Sequence, residues 1–194
     1  MTLLGTLLKN RRARDIHSAW NFPNLQGPEL LIVTSESFGE GEAIPSEHAG
    51  KRIGGKNVSP SLAWSPPPAE TVQLVLVVED LDGPISKPAV HCLALIDPLR
   101  LDSPNHLPLG GLSAKAPAAG VQIRRSTISR GYHGPEPLKG HGPHRYTFQF
   151  FALLGEKGGT AYSAKLDAAR PRALLSSLTA PVIARGRLTG VYER

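Results

Sequence analysis

The stretch Gly131 to Phe150, GYHGPEPLKGHGPHRYTFQF, constrains the fold of this chain more than any other segment. Gly131, Gly134, Gly140 and Gly142 are interleaved with Pro135, Pro137 and Pro143, so its first half can run neither as helix nor as central strand and reads as an ordered loop. Its second half alternates. Tyr146, Phe148, Phe150 and Ala152 fall on one face and Thr147, Gln149, Phe151 and Leu153 on the other, which predicts a strand with much of both faces covered. His144 therefore sits where a glycine-rich loop enters a core strand, a place where ligand groups are often presented, although a lone histidine there is more often structural.

Other segments extend the pattern. Thr71 to Glu79, TVQLVLVVE, is β-branched and too short for a typical helix, and Val90 to Ile96 is a second apolar run. Leu30 to Ser37, Val121 to Arg125 and Arg187 to Tyr192 complete the expected strands. Leu166 to Leu178 has helical spacing, with Pro171 near its first turn and Pro181 stopping it. With 20 Gly and 18 Pro in 194 residues, a helical bundle is disfavoured and a mainly β fold with a few short peripheral helices is expected. Residues 1–30 read as a poorly defined arm, a short helix and a wandering connection, and residues 31–194 as a single domain.

The strand Thr71 to Glu79 runs into EDLDGP, where Asp80 and Asp82 precede Gly83 and Pro84 in a turn whose carboxylates local hydrogen bonds can hold. Asn57 and Ser59, ahead of Pro60 and Trp64, are expected to fix a turn in the long connection Phe38 to Pro60. His91 opens the next strand, and His106 is expected to be exposed. Cys92, the single cysteine, lies in an apolar run, which excludes an internal disulfide and predicts an inert buried thiol. The net charge of +6 comes with one dense basic run, Lys9 to Arg14, and no aromatic-interleaved surface, so specific nucleic-acid binding is not expected. No run approaches the roughly 18 apolar residues of a membrane-spanning helix, and the order of apolar and charged residues at the start is the reverse of a secretory signal, so a cytoplasmic location is the expectation.

Four elements in this order make the chain resemble the phosphatidylethanolamine-binding protein family, in particular its bacterial Raf-kinase-inhibitor-like branch. They are Asn57, Ser59 and Pro60 before Trp64; Asp80 to Pro84; His91; and the Gly131 to Gly142 loop closing on His144, Arg145 and Tyr146. The resemblance implies antiparallel β-sheets in a Greek-key sandwich and a small surface pocket for phosphate or carboxylate groups, lined by Asp80, Pro84, His91, His144 and Tyr146. Asp82, Gly134 and Glu136 would form its rim. Two histidines and a tyrosine hydroxyl can donate to an anion, with Asp80 orienting a neighbouring histidine. Arg145 alternates away from Tyr146 and is expected to pair with Asp82. Leu81, Cys92 and Glu136 depart from the family pattern, and Glu136 brings negative charge toward an anion site.

The function this implies is that of a non-enzymatic binding protein without cofactor, recognising a phospholipid headgroup, a metabolite or a phosphoprotein, with a regulatory role toward a kinase or protease and a homodimer among the implied assemblies. Two alternatives stand beside it. One is a metal-dependent or acid/base hydrolase using Asp80, Asp82, His91, His133, His141 and His144. The other is an interaction or inhibitor scaffold using the basic Lys9 to Arg14 arm.

Overall fold

The computed structural model describes residues 3–155 and 169–194. Strands β1 (Val33–Thr34), β2 (Leu62–Trp64) and β5 (His106–Leu107) form a small antiparallel sheet in the order β1-β2-β5. Strands β3 (Thr71–Asp80), β4 (Ala89–Ile96), β6 (Val121–Ile123), β7 (His144–Leu154) and β8 (Val182–Tyr192) form the main sheet in the order β6-β4-β3-β7-β8, with antiparallel neighbours. Strands β3, β4 and β6 are neighbours in chain order within this sheet, β5 lying in the other, and β7 then returns beside β3, which is a Greek key.

Because β3 and β7 alternate apolar residues on both faces, the main sheet buries both sides. Leu74, Leu76, Val78, Phe148 and Phe150 meet Val33, Leu62, Trp64 and Leu107 in the core between the two sheets. Val75, Val77, Leu93, Phe151 and Leu153 form the opposite core with Leu174, Leu175 and Leu178. These leucines belong to, or just follow, helix α2 (Pro171–Ser176), with Pro171 in its first turn as the spacing predicts; positions 166–168 of the expected helix lie outside the described residues. Ala19, Trp20 and Leu25, from the stretch read as an arm, also lie in this second core.

One buried carboxylate ties these layers together. Glu79 in β3 accepts hydrogen bonds from Ser18 Oγ at 2.7 Å, the Ala19 amide at 2.8 Å, Gln149 Nε2 at 2.9 Å and Arg172 Nη2 at 2.9 Å. Arg185 adds a second tie: it donates to the Trp20 carbonyl, pairs with Glu29 and stacks 4.0 Å over the Trp20 ring.

Several local expectations change. The first strand shrinks from Leu30–Ser37 to Val33–Thr34: Leu30 and Ile32 point to solvent, and the backbone there bonds singly to Arg185 and Ser65 instead of forming a ladder. His106 is half-buried in β5 opposite Ala63 rather than exposed. Asn57 and Ser59 hold distant rather than local backbone. Asn57, at φ 58°, donates to the Tyr132 carbonyl and accepts from the Gly134 amide, and Ser59 Oγ accepts from the Leu112 amide. Among the described residues, no helix is long and apolar enough to cross a membrane.

Candidate functional site

Asp80, His91, His144 and Tyr146 gather at neighbouring strand ends. Asp80 closes β3 as the register partner of Ala89 in β4 and Tyr146 in β7, while His144 opens β7. All four are buried, with exposures of 7% for Asp80, 5% for His91 and 1% each for His144 and Tyr146.

The aim of His91 depends on a β-bulge. Val78 faces Cys92 and Glu79 faces Val90, so His91 is the extra residue between them. The parity of the strand changes there. Val90 packs with Leu93 and Leu95 on one face, Cys92 packs with Ala94 and Ile96 on the other, and the His91 ring reaches the Tyr146 ring edge-on at 5.2 Å. The loop before β7 is clamped to the bulge, since the His133 amide donates to the His91 carbonyl at 3.0 Å and the His91 ring Nδ1–H donates to the His133 carbonyl at 2.8 Å. Burial pushes the pKa of His91 below the ordinary 6.5, against the pull of the Asp80 charge. At neutral pH its Nε2 is therefore an unprotonated lone pair.

Asp80 anchors the other histidine. Its Oδ2 lies 2.9 Å from His144 Nδ1, and its Oδ1 accepts from the Asp82 amide at 2.9 Å. Burial alone would raise its pKa, but the His144 hydrogen bond, the charges of both histidines and the Asp82 amide hold it below the usual 3.8. Beyond His144 the chain of contacts continues, with His144 Nε2 2.7 Å from His141 Nδ1 and His141 Nε2 3.0 Å from the Arg11 carbonyl. His141 thus occupies the outer nitrogen of His144. Sequence reasoning had no signal for this partnership, because spacing within a glycine-proline loop does not fix where two rings point.

The Tyr146 hydroxyl makes no hydrogen bond of good geometry among the described residues, although the Asp80 carboxylate and the Glu136 backbone lie near it. Its ring stacks at 6.3 Å on His144, and burial followed by the Asp80 charge raises its pKa, so it stays a neutral phenol. The Cys92 thiol, buried behind the bulge, is pushed up to about 12 by desolvation and is inert, as its apolar run predicts.

The surrounding residues divide by task. Asp82 receives Arg145 through Nε at 2.8 Å and Nη2 at 3.0 Å, with the Arg145 amide also donating to it, and this is the pairing expected from the alternation. Arg12 joins the same carboxylate at 3.2 Å. Gly134 is buried, and a side chain there would collide with the His48 carbonyl. Glu136 turns toward His133, 3.4 Å away, and the Arg52 amide. Pro84 shares a groove of about 480 Å³ with Arg11, Arg12, Arg14, Ile85 and Ser86. Helix α1 (Leu3–Leu7) and the basic run are folded back onto the site: Arg12 donates to the Pro143 carbonyl, the Arg14 amide donates to the Ser86 carbonyl, and Gly5 packs on Lys139. Among the described residues, no group of three or more His, Cys, Asp or Glu is arranged to hold a metal ion.

This geometry has relatives. The UPF0098 protein of Aquifex aeolicus is 30% identical over 169 residues, covering 87% of this chain and 91% of that protein. YbcL of Escherichia coli is 32% identical over 167 residues, covering 83% of this chain and 86% of YbcL. The crystal structure of YbcL, described as a new member of the mammalian PEBP family, superimposes with a TM-score of 0.69 at 29% identity, over 84% of this chain and 98% of that one. The CT736 protein of Chlamydia trachomatis, described as a putative PEBP homologue, gives a TM-score of 0.63 at 27% identity, over 84% of this chain and 97% of that one. The family model for phosphatidylethanolamine-binding proteins matches residues 34–193, which take in both sheets and every strand that carries the site. With the sequence motifs, the Greek-key sheet and these matches in agreement, this chain belongs to the phosphatidylethanolamine-binding protein family.

Proposed function

We propose that this protein is a binding protein, without catalytic chemistry of its own, whose Asp80–His91–His144–Tyr146 cluster receives a compact anion: the phosphate or carboxylate of a larger molecule. The observation that carries this reading is the Tyr146 hydroxyl, buried beside His91 and His144 and without a hydrogen bond of good geometry among the described residues. A buried polar group left unmatched costs about 1–3 kcal/mol, and an incoming acceptor recovers it. The groove at Pro84 supports the same sign of ligand, because Arg11, Arg12 and Arg14 line it and, among the described residues, no carboxylate does.

The chemistry assigns each residue a task. Tyr146 donates a neutral hydrogen bond. His91 takes up a proton at Nε2 as the anion arrives and then donates a charge-assisted bond, while Asp80 balances the added charge. Two or three such bonds, offset by desolvation, give an affinity of the order of millimolar for a lone anion, and the rest of the ligand supplies the remainder. A lipid headgroup, a metabolite and a phosphorylated side chain of a kinase or protease partner share this chemistry.

The test is a titration with sulfate at low salt, followed by NMR, on wild type and Tyr146→Phe, a variant that breaks none of the observed hydrogen bonds. Shifts confined to β3, β4 and β7 around the cluster, with affinity about five- to tenfold weaker in the variant, are expected. Shifts scattered over the basic surface, or equal affinities, would remove the proposal.

A further inference from the structure

A second cavity lies beyond the Ile85–Ser86 ridge, between the loop before β4, the turn after β6 and the segment leading into α2. It has a volume of about 450 Å³ and is lined by Lys87, Arg125, Arg170 and Arg172, with Ser86, Ser126 and Thr127, and by no Asp or Glu among the described residues. That is the volume of about fifteen waters at ~30 Å³ each, within the range of small-molecule sites and more than a lone phosphate fills.

The four cations are not equivalent. Arg172 is spent on structure: it donates to Glu79, to the Pro88 carbonyl at 2.6 Å and to the His17 carbonyl. Lys87, Arg125 and Arg170 have no carboxylate partner among the described residues, so three positive charges converge on the cavity uncompensated. The wall that carries Arg125, Ser126 and Thr127 is tied down by hydrogen bonds. Ser126 Oγ accepts from the Ile128 and Ser129 amides and donates to the Ser129 carbonyl, and Arg125 bridges Arg130. Thr127 is sewn to β4 through its amide to the Val90 carbonyl, and its Oγ1 accepts from the Val90 amide at 3.0 Å, which leaves the hydroxyl hydrogen to donate into the cavity.

We propose that this cavity is a second anion site, independent of the Asp80–His91–His144–Tyr146 cluster, that takes a small molecule with two or more negative charges on a non-aromatic body, of the class of sugar phosphates and organic diphosphates. Three cations on one cavity match at least two negative charges. Pro88, Pro171 and Ile85 offer apolar walls for the body, and none of the described lining residues is an aromatic on which a nucleobase could stack. A smaller basic groove, about 300 Å³ between Lys51, Lys56, Lys115 and Arg130, provides an internal comparison, because there Lys56 is drawn off by Glu47 and Arg130 has a partner.

The probes are inorganic pyrophosphate and glucose 6-phosphate, titrated by NMR at low salt into wild type, the exposed double variant Arg125→Gln/Arg170→Gln, and His91→Gln. The expected result is a set of shifts at Lys87, Val90, Arg125 and Thr127 for both probes, weakened at least tenfold in the double variant with its melting temperature unchanged, and unaffected in His91→Gln. Equal shifts at Lys115, or an affinity unchanged by the double variant, would overturn the site. Loss of binding in His91→Gln alone would assign the probes to the strand-end cluster and equally overturn it.

Discussion

His141 Nδ1 and His144 Nε2 face each other at 2.7 Å in the interior, with the Arg11 carbonyl at one end of the pair and the Asp80 carboxylate at the other. Both ends accept only, so a hydrogen must sit on His141 Nε2 and another on His144 Nδ1. The contact between the rings needs a third. Three hydrogens on four ring nitrogens make the pair a shared monocation, balanced by Asp80, and this monocation holds the N-terminal segment to the site. Nitrogen-15 spectra of the histidine side chains are expected to show three N–H groups for these two rings. Two groups only would mean that the rings do not hold each other.

The same arrangement contributes to the acid limb of stability. Asp80 has a depressed pKa in the folded protein, so its stabilisation is present in full above the unfolded value of about 3.9 and is lost as pH falls through its lower folded value. Asp80→Asn is expected to flatten the fall in melting temperature below about pH 4. A wild-type slope retained in the variant would exclude Asp80 as its source.

His91 titrates in the opposite sense. Its folded pKa lies below 6.5, so the free ring is neutral at pH 7 and must gain a proton to serve an anion. Binding of sulfate, whose own charge is constant over this range, should tighten as pH falls from about 7 toward 5.5, and His91→Gln should abolish the trend. Calorimetry in buffers of different ionisation enthalpy reads the proton uptake directly.

Glu79 carries more stability than any exposed pair. Glu79→Gln leaves Arg172 without its counter-charge and alters the contacts to Ser18, Ala19 and Gln149, for an expected loss of about 3–5 kcal/mol in chemical denaturation. Arg145→Ala is milder. Arg145 is half exposed and Asp82 retains Arg12, so the loss is expected to be about 1 kcal/mol. A loss from Glu79→Gln as small as that from Arg145→Ala would contradict the network.

Much of this architecture was legible in the residues. The two-faced alternation of Tyr146 to Leu153 and the β-branched run from Thr71 announced the central strands, and Asp80, His91, His144 and Tyr146 converge as the motif order implied. The bulge at His91 was not legible, because a one-residue change of parity looks in sequence like uninterrupted apolar strand. Asn57 was read as a local turn residue, yet its amide crosses to Tyr132 and Gly134, and long-range side-chain bonds leave no periodic trace. The ring contact of His141 depends on loop geometry in the same way. Leu30 and Ile32 look like strand residues by propensity, but only tertiary packing decides which of them finds a partner.

The return of β7 to lie beside β3 also dictates how the chain must be made. His144 and Asp80 are 64 residues apart, so while the ribosome is still adding the intervening segment, β3 has β4 on one side and nothing on the other. During that interval the emerging chain presents an apolar, hydrogen-bond-hungry edge, a surface that invites pairing with a neighbouring nascent chain. The interval between Ile96 and His144 is thus the part of synthesis in which the β3 edge stands open to a wrong partner.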